Sequence, residues 1–587
     1  MNDYVFKLSK QDLKQKGVYD CLNNRLVEYR DNLFIGGKVR LDNKEEIISD
    51  ERLEADLDNI LIVEALYKKY GSNFIEKIYG SYSFIIHDLD THKLFYFRDH
   101  FGQSSAFYAS LGNNVIFSSK IENIFQYTSL VRTMNIQRVI DFIAHTHSCS
   151  NETFFKRVFS LSPSCLLTLK NDLIEMSKYY EFRFGTTESD NTNTQKKFFN
   201  AVKEVMNSKT STMLSGGLDS SSITAAMSNL NSEANTKSFS IVFPNLRSSA
   251  SSTADEKQYI DAAVEFLNIE NYQIPIKNFD FVASIKANIK FLDEPVMATN
   301  TYIYEEIFKE MNKQGCKRVL DGTDGDSVVS HGTEIFRQLG EEMKISELLN
   351  QKKEYDQKQN IKHRPLRTIF NFSFKHKLPK FLLNYFNKLR KRDYFIEQNE
   401  LLSDKYKKSI SSIYRDTETI YGLEEKHGKY GKMAHYSMIF KSNWDSVFSI
   451  LNSIAAKHNV EIAFPFFSKP FVEHCLNMPT SKKICKGTTR YYFRESMQDF
   501  LPKAIYERDS KSNLSPIFID HFMQLDQNYL NQVFKNNKSP IYPLLNQKKI
   551  SALLLDTNPK KNLSIIYSFI NLYEWMKKNH FSLNVDK

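Results

Sequence analysis

"LSGGLDSSS", Leu214 to Ser222, decides how the chain is read. Two glycines permit close backbone approach, a helix start adds outward-facing amides, and the serines add hydroxyl donors, so the stretch suits an anion such as a phosphate. A Walker-type loop follows its glycines with Lys and Ser or Thr, and the ammonium reaches the phosphates. Here Leu218 and then Asp219 follow instead. A carboxylate at a phosphate-holding loop requires a divalent cation between the two charges. Mg²⁺ takes oxygen ligands, commonly one or two carboxylates together with phosphates, so a second acid is expected close by in the fold.

A second loop, "DGTDGD" from Asp321 to Asp326, supplies such an acid, and Asp219 and Asp326 are the expected Mg²⁺ ligands. Ser, Gly and Asp are also ordinary cap and turn residues. In the first loop consecutive residues fit one pattern; the second loop, taken alone, divides evenly between site and turn.

Around these loops strands and helices alternate. "STML" runs into the first loop and "SSSITAAMSNL" out of it, with Ile223, Ala226, Met227 and Leu230 on one helical face. "TKSFSIVF" then reads as a strand, "DEKQYIDAAVEFLN" as a helix, and "KRVLDGTDGD" as a strand entering the second loop. Such alternation predicts an α/β, doubly wound parallel sheet with ligands at the carboxyl ends of its strands.

Upstream, residues 4–182 read as mostly strands with short helices. In "GSYSFIIHDLDTHKLFYFRDHFG" (Gly80–Gly102) the β-rich runs Ser81–His87 and Lys93–Arg98 flank a polar turn, which is a hairpin signature. The simplest reading is an α+β domain over 1–184, a polar linker "GTTESDNTNTQKK" over 185–197, and the α/β domain over 198–587, helical in pattern from about Thr417 onward.

Composition agrees with a multidomain globular protein: 587 residues, 41% hydrophobic and 25% charged, with no apolar run near the roughly 18 residues that span a bilayer. The first residues, MNDYVFKLSK, lack the apolar core of a secretory signal, which predicts a cytoplasmic protein. Six cysteines (Cys21, Cys149, Cys165, Cys316, Cys475, Cys485) are far apart and form no C-x-x-C, against disulfide scaffolding or a zinc ribbon. His145, His147 and Cys149 alternate like ligands, but no fourth ligand is near, and a structural role is favoured.

The net charge of +10 is local. Residues 351–394 hold 13 Lys and Arg against 3 Asp and Glu, which equals the whole excess. Within this segment, an expected insertion at about 345–400, "RTIFNFSF" alternates apolar and polar residues. "PKFLLNYFNKLRKRD" places Phe381, Leu382, Tyr385, Phe386 and Leu389 on one helical face. A solvated insertion takes about half the weight; holding a peptide or touching an anionic membrane share the rest. No nucleic-acid motif accompanies the charge, so nucleic acid is the weakest partner.

The SGGLDS loop resembles that of the ATP-pyrophosphatases, and the chain is identified as resembling the asparagine synthetase superfamily, whose members include β-lactam synthetases and lasso-peptide macrolactam cyclases. "GSYSFIIHDLDTHKLFYFRDHFG" resembles the family's amidotransferase-like (Ntn-hydrolase-like) domain, and "LDEPVMATNTYIYEEIF", "NVEIAFPFF" and "RYYFRESMQDFLP" resemble later segments. Three departures set the branch. A working glutaminase of the family carries cysteine at position 2, where this chain has Asn2, so glutamine hydrolysis is not expected and the first domain reads as degenerate. Thr323 stands where asparagine synthetases carry Glu, "GGKVRLDNKEEI" resembles the cyclase and β-lactam branches, and "ERDSKSNLSPIF" resembles the tail of lasso cyclases.

The resemblance implies attack of a carboxylate on the α-phosphorus of ATP and displacement of AMP by an amine. It implies that Ser215, Gly216, Gly217, Ser220 and Ser221 cradle pyrophosphate, that Leu214, Ile241 and Gly322 touch the nucleoside, and that Lys511 stabilises the departing charge. Glu461, in an apolar context where a lone carboxylate is costly, is expected to orient the amine, with a buried ion pair nearly as good a reading. Asp255 and Glu256 carry low weight as ordinary first-turn acids, and His331 stays ambiguous. The expected substrate is a processed precursor peptide from a partner protease; an ammonia-using asparagine synthetase, another small-molecule amide ligase and a non-catalytic scaffold are the alternatives.

Overall fold

The protein is described by a computed structural model over residues 3–9, 30–144, 151–170, 173–182, 184, 193–231, 236–243, 256–276, 280–298, 300–375, 378–379, 400–407, 430–440, 444–509, 525–555 and 559–583. The His145, His147 and Cys149 group, Asp255, Lys511 and the proposed basic helix lie outside these residues.

The hairpin expected from the sequence forms the centre of the first domain. Strands β3 (Gly80–Asp88) and β4 (Lys93–Arg98) pair antiparallel with His87 opposite Leu94. All of β3 is buried, because successive side chains of a strand point to opposite faces and both faces are covered. Tyr82, Phe84 and Ile86 face the helices Lys44–Glu51 and Asn59–Tyr70, while Ile85 faces a second sheet. The first sheet has the order β2 (Leu33–Leu41), β3, β4, β8 (Cys165–Lys170), β9 (Leu173–Lys178); the second has β1 (Val5–Ser9), β6 (Asn114–Ser118), β5 (Phe107–Leu111), β7 (Val158–Ser160). Short helices Ile121–Gln126 and Ile136–Ile143 cover the outer face of the second sheet, giving an α-β-β-α sandwich.

The second domain is the expected parallel sheet, in the order β12 (Glu270–Pro275), β11 (Lys237–Val242), β10 (Thr210–Met213), β13 (Arg318–Leu320), β14 (Glu461–Ala463). Helices pack on both faces, and the helical C-terminal part ends in Pro559–Lys578, which returns to the first domain. There Trp575 lies between Phe154 and Phe155 and donates from Nε1 to the carbonyl of Asp293.

The polar linker is shorter than its composition suggests: the helix Thr194–Lys203 begins inside it, and residues 185–192 lie outside the described residues. Phe198 sits with ring centroids 4.9, 5.3 and 5.1 Å from Phe466, Phe471 and Phe493, and burying one such side chain contributes about 1.5–3 kcal/mol, which outweighs the weak local preference. The alternating "RTIFNFSF" is helical, as Pro365–Ile369 followed by the wide turn Phe370–Phe374. Gly340 packs against the Phe372 backbone so closely that a β-carbon would meet its carbonyl oxygen at 2.3 Å. The segment's charges are also partly spent: Lys352 pairs with buried Asp356, and Lys358 lies 3.1 Å from Asp509.

Glu461 opens β14, and its neighbour in register is Arg318, which opens β13. Both stand at the amino ends of parallel strands, opposite the glycine loops. The Glu461 carboxylate receives Arg318 at 2.8 Å and, from the first domain, Arg40 at 3.2 Å. Arg40 is itself held by Asp42 at 2.8 Å. Burial would raise the Glu461 carboxyl, but the two guanidinium groups prevail and hold it down at about 2. The expected amine-orienting role is therefore replaced by a mostly buried ion pair that ties the domains together.

Glu461→Gln keeps the shape and removes the charge. Breaking a buried pair costs about 3–5 kcal/mol, so a fall in Tm of about 5 °C or more is expected in a thermal scan. Since the folded carboxyl lies below its ordinary value, its stabilisation is present above about pH 4.5 and is lost between about 4.5 and 2. A Tm difference between wild type and the variant that does not shrink over that window would refute the assignment.

Candidate active site

The chain LSGGLDSSS is the turn from β10 into the helix Leu218–Leu230. Gly216 has φ of +73°, and a β-carbon there would come within 2.7 Å of Tyr259 Cβ, so both conformation and space select glycine. Ser215 and Ser220 close the loop on itself: Ser220 Oγ accepts from the Ser215 amide at 3.1 Å and shares a hydrogen with Ser215 Oγ at 2.9 Å. Ser221 Oγ and Ser222 Oγ are buried without hydrogen-bond partners among the described residues.

DGTDGD follows β13, the strand beside β10, so both loops stand at the same carboxyl edge of the sheet. Their contact is close: a β-carbon on Gly322 would lie 2.9 Å from the amide nitrogen of Ser220. Asp321 is tied down by the Thr323 amide at 3.0 Å and the Thr323 hydroxyl at 2.8 Å, and burial lifts its carboxyl to about 6. Tyr304 reaches Thr323 Oγ1 at 3.2 Å from the helix Thr301–Lys313.

Together the loops wall a cavity of about 490 Å³. Of the residues expected there, Leu214, Ser215, Gly217, Asp219, Ser220, Ile241 and Gly322 line it. Leu214 is less available than expected, because its amide donates to Phe239 O and its carbonyl accepts from Ser240 Oγ. Gly216 shapes the loop from behind, and Ser221 is fully buried in the helix start. The acids on the wall are Asp219, Glu256, Asp321 and Asp324. Asp326 is not on it; it lies 3.6 Å from His331 Nε2 on the short helix Gly325–Val329. No group of three His, Cys, Asp or Glu side chains poised to hold a metal forms among the described residues.

Two arginines that the sequence reading passed over complete the site. Arg490 donates from one guanidinium nitrogen to both Asp219 oxygens, at 3.0 and 3.1 Å. Arg508 bonds the carbonyl of Gly216 at 3.2 Å, pairs with Glu256 at 3.1 Å and stacks 3.7 Å over Tyr259. The signal was present in "TTRYYF" and "YERDS" as cations inside the very stretches that carry the resemblance. Glu256, given low weight as a first-turn acid, is thereby brought to the wall.

The hydroxyl-bearing Ser215 and Ser220 lie on this wall, and the Asp219 charge is balanced by Arg490. The chain matches the family described as Asparagine synthase over residues 194–577. It belongs to that family. A second match, to the Glutamine amidotransferase domain, covers residues 43–180. Among its relatives, the putative asparagine synthetase [glutamine-hydrolyzing] 2 of Methanocaldococcus jannaschii is 26% identical over 55% of this chain and 65% of that protein. Amidase chry2 of Gibberella zeae is 21% identical over 55% and 48%. Asparagine synthetase [glutamine-hydrolyzing] 1 of Bacillus subtilis is 20% identical over 90% and 81%. The chain thus spans less than two thirds of the length of the first two. The α-β-β-α sandwich is the amidotransferase-type domain, and the parallel sheet with its two glycine loops is the synthase domain.

Gly322→Val should press a side chain into the Ser220 backbone and open the seam between the loops. Binding of ATP, followed by displacement of a fluorescent analogue, is expected to weaken about tenfold or more.

Proposed function

We propose that this asparagine synthase-family protein is an ATP-dependent, AMP-forming amide ligase that closes a macrolactam in a lasso-type peptide. The observation that carries the ligase reading is the convergence of LSGGLDSSS and DGTDGD on one cavity. The carboxylate attacks the α-phosphorus of ATP, pyrophosphate leaves, and an amine displaces AMP from the acyl-adenylate. Both steps are chiefly positioning and charge stabilisation.

In this reading the amides and hydroxyls of Ser215 to Ser221 hold the phosphates, and Ile241 and Gly322 border the nucleoside. The cavity-lining hydroxyls of Ser215 and Ser220 and the glycine-only turn at 216 fit an anion cradle. Mg²⁺ would be held by Asp219 together with an acid of the second loop on the same wall, Asp321 or Asp324 in place of the expected Asp326, and would neutralise phosphate charge. Arg490 guards Asp219 until then, and Lys511, by resemblance, steadies the departing pyrophosphate.

Peptide rather than free aspartate is favoured by Thr323, which turns inward onto Asp321 where asparagine synthetases carry Glu. Glutaminase activity is not part of the proposal. Cys165, the described cysteine of the first domain, is buried, and burial raises its thiol, away from a nucleophile. The substrate comes as a processed precursor peptide; no helix among the described residues is long and apolar enough to cross a membrane.

Mass spectrometry tests the reading. A core peptide incubated with the protein and Mg-ATP should lose one water as AMP accumulates one for one. Asp219→Ala should slow this by about a hundredfold or more. Product formation unchanged in Asp219→Ala sinks the enzymatic reading, and turnover with aspartate and ammonia but not with peptide selects the asparagine synthetase alternative.

A further inference from the structure

A second cavity, of about 400 Å³, lies between the two domains and abuts the first. Ala298, Val447 and Ile450 belong to the walls of both. Ammonia, close to water in size, needs about 30 Å³, so this chamber is an order of magnitude too large for it. Its charged lining consists of Arg98, Arg138, Glu152, Asp293, Glu294 and Asp445, two cations against four acids.

Most of these groups are already committed. Arg98 spends its nitrogens on the carbonyls of Gly102, Ser104 and Leu161 and on Asp445 at 3.4 Å. Both Asp293 oxygens accept from the amides of Ile121 and Glu122. Glu152 accepts from Asn135. What remains points at a ligand: Glu294 has one oxygen on the Phe154 amide at 2.7 Å and no other hydrogen-bond partner among the described residues, and Arg138, whose Nη1 lies 3.9 Å from Asp141, keeps its Nε buried without one. A carboxylate oxygen and a guanidinium N–H on the wall of one chamber, where negative charge is in excess, are the complement of an ammonium next to a carbonyl.

We propose that this interdomain chamber binds the amine-bearing end of the substrate peptide, its α-ammonium on Glu294 and its first carbonyl on Arg138. The inference rests on the amide-ligase reading, and it names where the attacking amine waits. From here the nitrogen reaches the ATP cavity past Ala298, Val447 and Ile450, a wall made only of small and aliphatic side chains. The chamber admits a residue rather than a bare ammonia molecule, which is how the protein distinguishes a peptide amine. Burial lifts the Glu294 carboxyl to about 7, against the Phe154 amide and Arg138, and the neighbouring Asp293 and Asp445 push in the same direction as burial. Ammonium binding therefore strengthens as pH rises through about 7 and falls again once the α-amine loses its proton near pH 8.

Glycinamide, which carries an ammonium beside a carbonyl, is the probe, titrated calorimetrically into the full-length protein. It should bind with an optimum between about pH 7 and 8, and the uncharged N-acetylglycinamide should bind about tenfold or more weakly. Glu294→Gln should weaken glycinamide about tenfold to a hundredfold, the range of a charge-assisted hydrogen bond. Ser453→Phe, which fills the chamber from the helix Trp444–Lys457, should do the same while ATP affinity stays within about twofold. Absence of glycinamide binding to wild type, equal binding of the acetylated probe, or binding unmoved in both variants would overturn the proposal. Failure of ATP to bind wild type would instead strike the ligase reading and leave the chamber to be judged by the same titrations.

Discussion

Everything at the site depends on how closely two strand-end loops approach. Gly322 lies where any side chain would press on the Ser220 amide, so β10 and β13 can present their loops as one surface only because the second loop has no β-carbon there. The pairing of the two strands fixes their separation, and the parallel topology puts both loops at the same edge. The loop hydroxyls and the acids on the cavity wall follow from that placement.

The same edge explains the charge balance. Asp219, a half-buried acid at a strand-end loop, needs a cation beside it, and Arg490 supplies one. Arg508 does a parallel service for Glu256 and for the carbonyl of Gly216. Cations brought from a segment some 270 to 290 residues downstream make an acidic loop compatible with a polyanion. The other domain contributes through its own ion pairs, Arg40 to Glu461 and Arg98 to Asp445, which hold the sandwich against the sheet and shape the chamber between them.

The hairpin at Gly80–Gly102 and the strand, loop and helix alternation after Thr210 were legible because a period of two and a glycine turn are local properties. The helix Thr194–Lys203 was not, since its polar sequence hides Phe198, whose value lies in three distant rings. Glu461 was legible as a carboxylate needing a partner, but its partners lie 143 and 421 residues away in sequence, and only their geometry separates a structural ion pair from a chemical role. The basic segment looked like a solvated insertion, yet Lys352 and Lys358 are spent on Asp356 and Asp509.

The sequence by itself determined the class of chemistry: two glycine-acid loops at strand ends and a strand-rich first half, because these are encoded in runs of adjacent residues. The tertiary structure alone decided which acids reach the cavity, which arginines balance them, and that a charged chamber lies behind a wall of Ala298, Val447 and Ile450. Those facts depend on the packing of elements hundreds of residues apart, and no local pattern carries the distance between side chains that meet only when two domains close on each other.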